Sequence, residues 1–216
     1  MGRGRLCRAA FRLHANSRRP MLAASHRGEM DRPCLQGVLV ASGDESLAAE
    51  VASAETCELV VNIQGDEPLI DPAAIDAAVL AMLDNPEIPM GTLEKKIEDI
   101  AEYHNPNVVK VVKDREGNAI YFSRAPIPYV RDERERKQAA HFKHIGLYVY
   151  RKDFLLSYPG LPVGPLEQAE RLEQLRALEN GYKIRVVETE YDSLGVDTPE
   201  DLDRVTSLFE VKPAGV

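Results

Sequence analysis

"ELVVNIQGDEPLID", residues 58–71, starts as an apolar run and stops abruptly. Leu59, Val60, Val61 and Ile63 are the aliphatic side chains of a strand buried on both faces. Gln64, Gly65, Asp66, Glu67 and Pro68 then end it, and Gly65 lets the backbone turn there without a Cβ clash. Asp71 and Pro72 follow as the N-cap and first residue of a helix predicted to run to about Leu83.

Upstream, "VLVA" (38–41) reads as a short buried strand and "DESLAAEVASA" (44–54) as a helix. Downstream, a short strand falls near 90–93, and "IEDIAEYH" is a short helix. "NVVKVVKDREGNAIYFSRAP" reads as a hairpin turning at Asp114 to Asn118, because β-branched residues alternate on both sides. "YVRDERERKQAAH" is charged and is predicted to be a loop or exposed arm, and "FKHIGLYVYR" (142–151) a strand. Pro165 opens a helix over "PLEQAERLEQLRALEN", with Gly181 as its C′ residue. "KIRVVETE" is a further strand. "VDTPEDLDRVTSLF" is a last helix, with Thr198 as N-cap, Pro199 at N1 and Asp201 at the capping-box position.

Strands alternating with helices predict a mostly parallel sheet covered on both faces. Ligands of such sheets bind beyond the carboxyl ends of the strands. Residues 64–68 sit at such an end.

The chain has 216 residues and a net charge of −8, unevenly spread. Residues 1–37 hold eight Arg against Glu29 and Asp31, a surplus of six positive charges, while the remainder holds 19 basic and 33 acidic residues, a deficit of fourteen. An acidic body argues against nucleic-acid binding. No run approaches the roughly 18–20 apolar residues needed to span a bilayer. Cys7, Cys34 and Cys57 are too few and too scattered for a disulfide framework or a zinc site, which points to a reducing, cytoplasmic compartment. Residues 1–37 are Arg-rich and lack an apolar h-region, so they read as an atypical, disordered segment ahead of an α/β domain over 38–216.

Several side chains are candidates for chemistry. Asp66 and Glu67 are hard oxygen donors suited to Mg²⁺, or acidic residues decorating a turn. Asp197 lies where another strand hands over to a helix, which also suits a charge at a helix N-terminus. Arg124 follows the second hairpin strand. Strand alternation puts His144, Gly146 and Tyr148 on one face and Ile145, Leu147 and Val149 on the other. His, Gly and Tyr make a plausible sugar-binding surface, or a half-exposed strand with an incidental His; Gly146 would let a ligand approach the backbone. Glu173 and Gln174 read by pattern as a solvated helix flank, since neighbours on a helix point about 100° apart. There is no Walker loop, GxGxxG or nucleophile elbow, so P-loop and hydride-transfer chemistry have little support.

In order and spacing, "VVNIQGDEPLI", "NPNVVKVVKDREGNAIYFSRAPIP", "HIGLYVY", "LEQLRALENGYKI" and "GVDTPEDLDRV" resemble the 3-deoxy-manno-octulosonate (Kdo) cytidylyltransferases, the CMP-Kdo synthetases, over residues 58–206. The resemblance implies a three-layer, Rossmann-like nucleotidyltransferase fold with a β-hairpin dimerisation insertion. It implies transfer of CMP from CTP to Kdo, for lipopolysaccharide assembly, in a homodimer whose interface lies near the hairpin and the 129–141 arm. It also implies Mg²⁺ held by the catalytic Asp66 and Asp197, and a Kdo pocket lined by Gln64, Arg124, His144, Tyr148, Glu173 and Gln174. The family's first strand and its "PARYxSxRLPGKPL" loop, which grips CTP, have no counterpart in residues 1–37. Its "HxSGTDR" segment is missing or reduced to "ASGDES". Two alternatives follow: an inactive remnant that binds Kdo or dimerises, and a transferase for another sugar acid.

Overall fold

A computed structural model describes residues 39–40, 49, 52–53, 57–64, 70–132, 134 and 139–192. Four expectations therefore lie outside the described residues: the 1–37 segment, most of the 44–54 helix, the Gly65–Leu69 turn with Asp66, and the last helix with Asp197. The described strands are β1 (Leu39–Val40), β2 (Leu59–Ile63), β3 (Met90–Lys96), β4 (Lys110–Lys113), β5 (Ala119–Ser123), β6 (Phe142–Arg151) and β7 (Ile184–Glu188). The described helices are α1 (Pro72–Asp84), α2 (Ile100–His104), α3 (Lys152–Ser157), α4 (Pro165–Glu170) and α5 (Gln174–Glu179).

The main sheet runs β1-β2-β6-β3-β7, with β4 also on β6 and β5 on β4. β1, β2, β3, β4 and β7 point one way, but only the β1–β2 and β3–β7 pairings are parallel, so the described sheet is mixed. β6 runs against them and sits between β2 and β3, so its own neighbours are all antiparallel. β3 outruns the 90–93 estimate because Glu94, Lys95 and Lys96 pair with His144, Lys143 and Phe142. A charged end conceals a strand from a reading by hydrophobicity.

Two cores cover the two faces. On one, α1 lays Ala74, Ile75, Ala78, Val79 and Met82 over Leu59, Val61, Ile63, Leu93, Ile145, Leu147 and Val149. Asp71 caps this helix through its side chain, which accepts from Ala73 N at 2.8 Å, as its sequence predicts. On the other face, Tyr148, Tyr150, Phe154, Tyr158, Leu172 and Leu175 pack with Val60, Met90 and Phe122. Burying each such aliphatic or aromatic side chain contributes roughly 1.5–3 kcal/mol, so both faces of β6 are anchored. The expected division of β6 into two faces is observed.

The predicted 165–180 helix is in fact two. Arg171 adopts a left-handed conformation (φ 54°) between α4 and α5. The cause is tertiary: Arg124 Nε donates to the Glu170 carbonyl at 2.8 Å, taking an acceptor that a continuous helix would use itself. Gly181 (φ 81°) does close α5, and Gly181 N and Tyr182 N donate to the carbonyls of Leu178 and Ala177 at 3.0 Å each. This is a Schellman closure.

The two short helices hold each other. α4 begins at Gly164, which has no side chain to cap with, and the Glu179 carboxylate of α5 accepts instead from Leu166 N (2.9 Å) and Glu167 N (3.0 Å). Glu167 in turn pairs with Arg176. Removing the borrowed cap by Glu179→Ala is expected to cost about 1–2 kcal/mol, read as a lower denaturant midpoint with an unchanged slope. A Cβ at Gly164 would collide with that carboxylate, so Gly164→Ala should lower the midpoint as well.

Candidate active site

β6 is paired unevenly along its length. On one side β2 reaches Leu147, opposite Ile63, and β4 reaches Lys143, opposite Lys110. Ile145 and Gly146 lie in the gap between these two strands, and His144 stands at its edge, its N–H donating to the Val109 carbonyl at 2.8 Å. On the other side β3 pairs Thr92 with Tyr148 and Leu93 with Ile145, so Gly146 and Leu147 form an irregularity in the ladder. Bulges of this kind recur beside active sites because they re-aim side chains. The gap opens where β2 ends, the place expected for a ligand.

Four predicted residues come together there. Gln64, half-buried just after β2, lies over Gly146: a Cβ on that glycine would stand 3.3 Å from the Gln64 Oε1. The His144 ring meets Phe122 edge-on at 5.0 Å and Tyr148 at 5.4 Å. Its Nε2 is hydrogen-bonded to Thr92 Oγ1 at 2.8 Å. Burial pushes the pKa of His144 down to about 3, so the imidazole is neutral at physiological pH. Rings continue into the core from Tyr148 through Tyr150 (5.9 Å) to Tyr158 (6.1 Å). Tyr158 donates its hydroxyl to the Glu173 carbonyl at 2.6 Å.

Glu173 and Gln174 divide. Glu173 is exposed, as a solvated flank predicts, but Gln174 is 4% exposed and stands beside Leu175 in α5. The turn forced at Arg171 rotates α5 relative to the continuous helix assumed from sequence, which carries Gln174 inward.

Arg124 is held from three sides. Its guanidinium donates to the carbonyls of Glu170 (2.8 Å) and Pro106 (3.1 Å), and its backbone N–H donates to Glu170 Oε2 (2.9 Å). Its own carbonyl accepts from Lys110 Nζ at 2.7 Å. Lys110, Glu170 and Thr92, which brace Arg124 and His144, are positions that sequence reasoning did not single out. A weak signal existed for Lys110, a cation inside the apolar alternation of "NVVKVV".

Burial would raise the Glu170 carboxyl, but bonds from Ser123 Oγ (2.6 Å), Arg124 N and Tyr121, with the Arg124 charge, hold it below its ordinary 4.5. A carboxyl with a depressed folded pKa stabilises fully above its ordinary value and loses that contribution as pH falls through the folded one. The stability gap between wild type and Glu170→Gln should therefore narrow on acidification below about 4.5, measured by thermal melts across that range.

The expected metal ligands Asp66 and Asp197 lie outside the described residues, and the described chain nearest to them in sequence is Gln64 and Asp192. Asp192, five residues before Asp197 in sequence, is gripped by Lys143 (2.7 Å) and Lys95 (3.3 Å). Burial opposes the Lys143 charge, yet Asp192 and Glu102 outweigh it and raise its pKa. Among the described residues no cluster of His, Cys, Asp and Glu could hold a metal ion.

Comparison with known proteins shows the family and the fold. The family model described as "Cytidylyltransferase" matches residues 36–184. The chain is 70% identical over 162 residues to the 3-deoxy-manno-octulosonate cytidylyltransferase of Solibacter usitatus, covering 75% of this chain and 64% of that protein. It is 60% identical over 171 residues to the enzyme of that name from Syntrophotalea carbinolica, covering 76% of this chain and 68% of the relative. The chain thus spans about two-thirds of the length of these relatives, and just under that for the first. A solved CMP:2-keto-3-deoxy-manno-octonic acid synthetase complexed with CTP superposes with a TM-score of 0.80 at 32% identity, covering 89% of this chain and 88% of that one.

Proposed function

The chain belongs to the 3-deoxy-manno-octulosonate cytidylyltransferases of the cytidylyltransferase family, and on that premise we propose that it transfers CMP from CTP to Kdo, releasing pyrophosphate. The observation that carries the reading is the gap in β6, where Gln64, His144, Gly146 and Tyr148 present a polar, aromatic surface beyond the end of β2.

In this reading the sugar's anomeric hydroxyl attacks the α-phosphorus in line, and the bond from that phosphorus to the pyrophosphate oxygen breaks. Such a step needs mainly positioning and charge neutralisation. The neutral His144, Tyr148, Gln64 and Gln174 would bond sugar hydroxyls, with Glu173 at the pocket's outer side. Arg124 still has guanidinium hydrogens for the sugar carboxylate. Asp66 and Asp197 are oxygen donors of the kind Mg²⁺ prefers and would hold it, and the ion would supply charge neutralisation at the phosphates.

The same reading puts the chain in the cytoplasm as a homodimer, joined near the hairpin and the 129–141 arm. Ile120 of β5 and Tyr129 at the start of the arm are both largely exposed, which supports that surface. Among the described residues no helix is long and apolar enough to cross a membrane.

A second reading, a Kdo-binding protein without transferase activity, is favoured by the lack of a CTP-gripping loop in residues 1–37. Incubation with CTP, Kdo and Mg²⁺ separates the two. The proposal expects pyrophosphate release and a CMP-Kdo product identified by mass. Kdo binding without product would favour the second reading, and product from another sugar acid alone would reassign the substrate.

A further inference from the structure

Thr92 is fully buried on β3, opposite Tyr148 and against the irregular turn of β6. Its Oγ1 has three neighbours: the Leu147 carbonyl at 2.8 Å, the Ile145 carbonyl at 3.3 Å and His144 Nε2 at 2.8 Å. A hydroxyl has one hydrogen to give and two lone pairs to receive. The two carbonyls can only accept. If the hydroxyl gave its hydrogen to the imidazole, its lone pairs would face both carbonyl oxygens in a buried place, and a carbonyl would lose its donor. One arrangement leaves neither of the two 2.8 Å contacts with lone pair against lone pair: Thr92 donates to the nearer carbonyl, that of Leu147, and accepts from His144 Nε2–H.

We infer that Thr92 is a positioning residue that fixes His144 as the Nε2–H tautomer, so that the ring offers Nδ1 to the ligand as a hydrogen-bond acceptor. The tautomer of a neutral imidazole is set by the bond its other nitrogen makes. Phe122 and Tyr148 flank the ring and fix its plane. Among the described residues nothing donates to Nδ1. The consequence is a specificity rule: at this point the pocket takes a hydroxyl or another donor and rejects a bare acceptor. The acceptor role rests on the proposed function; the tautomer does not.

The test is a ring-nitrogen NMR spectrum of the full chain labelled with ¹⁵N-histidine, with His144 assigned by a His144→Gln variant. A pyrrole-type Nε2 and pyridine-type Nδ1 are expected without ligand, and Thr92→Val should remove that preference while Thr92→Ser keeps it. A pyrrole-type Nδ1 in the wild type, or an unchanged spectrum in Thr92→Val, would overturn the inference. Added Kdo should shift Nδ1, and Thr92→Val should raise KM for Kdo about tenfold with kcat within about twofold. Kdo binding, seen by calorimetry, with an unmoved Nδ1 would overturn the acceptor role. No Kdo binding at all would overturn the functional reading and the acceptor role with it, while the tautomer is still decided by the ligand-free spectrum.

Discussion

Asp66→Ala is expected to cut turnover by about a thousandfold at saturating CTP, Kdo and Mg²⁺, the scale on which one preorganised charge-stabilising contact acts. The triphosphate and the sugar acid are both anionic, and the chain itself carries a net charge of −8. Arg124 spends much of its guanidinium on the carbonyls of Glu170 and Pro106. On the proposed function something else would have to neutralise the phosphates, and Mg²⁺ held by Asp66 and Asp197 would do so. The variant should keep its fold, since Asp66 lies beyond the apolar part of the strand. Single-turnover kinetics would show the loss in the chemical step. Unchanged turnover would refute the assignment of Asp66 as a metal ligand.

Lys110→Met is expected to destabilise the fold by about 3 kcal/mol, because it leaves buried carbonyls without a donor. For a domain of this size the melting temperature should fall by roughly 6–12 °C. Lys110 is fully buried, and its ammonium donates to the carbonyls of Asn105 (2.9 Å), Val108 (2.6 Å) and Arg124 (2.7 Å). Three donors meet three acceptors. Burial lowers the pKa of Lys110, Glu170 opposes that shift and Arg124 adds to it. Methionine fills a similar volume, so the loss is mainly polar. The same change frees the Arg124 backbone, and KM for Kdo should rise with it. A melting temperature within about 2 °C of wild type would show that the carbonyls find other partners.

The sequence reveals some of these features and hides others for physical reasons. The cap at Asp71, the hairpin at Asp114–Asn118, the whole of β6 and the closing Gly181 depend on neighbours a few residues away, so local pattern finds them. The break at Arg171 depends on Arg124, which is 47 residues distant in sequence. No helix propensity encodes it, and the burial of Gln174 escapes a reading by helix pattern for the same reason. Thr92 and Lys110 look ordinary in their strands. Their importance lies in which carbonyls surround them, and that is known only once β3, β4 and β6 are assembled. The shared face of His144 and Tyr148 is a period-2 signal that a sequence carries, and Gln64 is legible as the end of a strand; their place in a Kdo pocket is what the family resemblance implies.

The central claim is that the surface at the gap in β6 receives Kdo. Isothermal titration of the full chain with Kdo and Mg²⁺, compared with Gly146→Ala, tests it most directly. The added methyl would press on the Gln64 amide at 3.3 Å without reaching the core. The account predicts saturable binding by the wild type and an affinity about tenfold weaker in the variant, at an unchanged melting temperature. No binding by the wild type, or equal affinity in both, would contradict it.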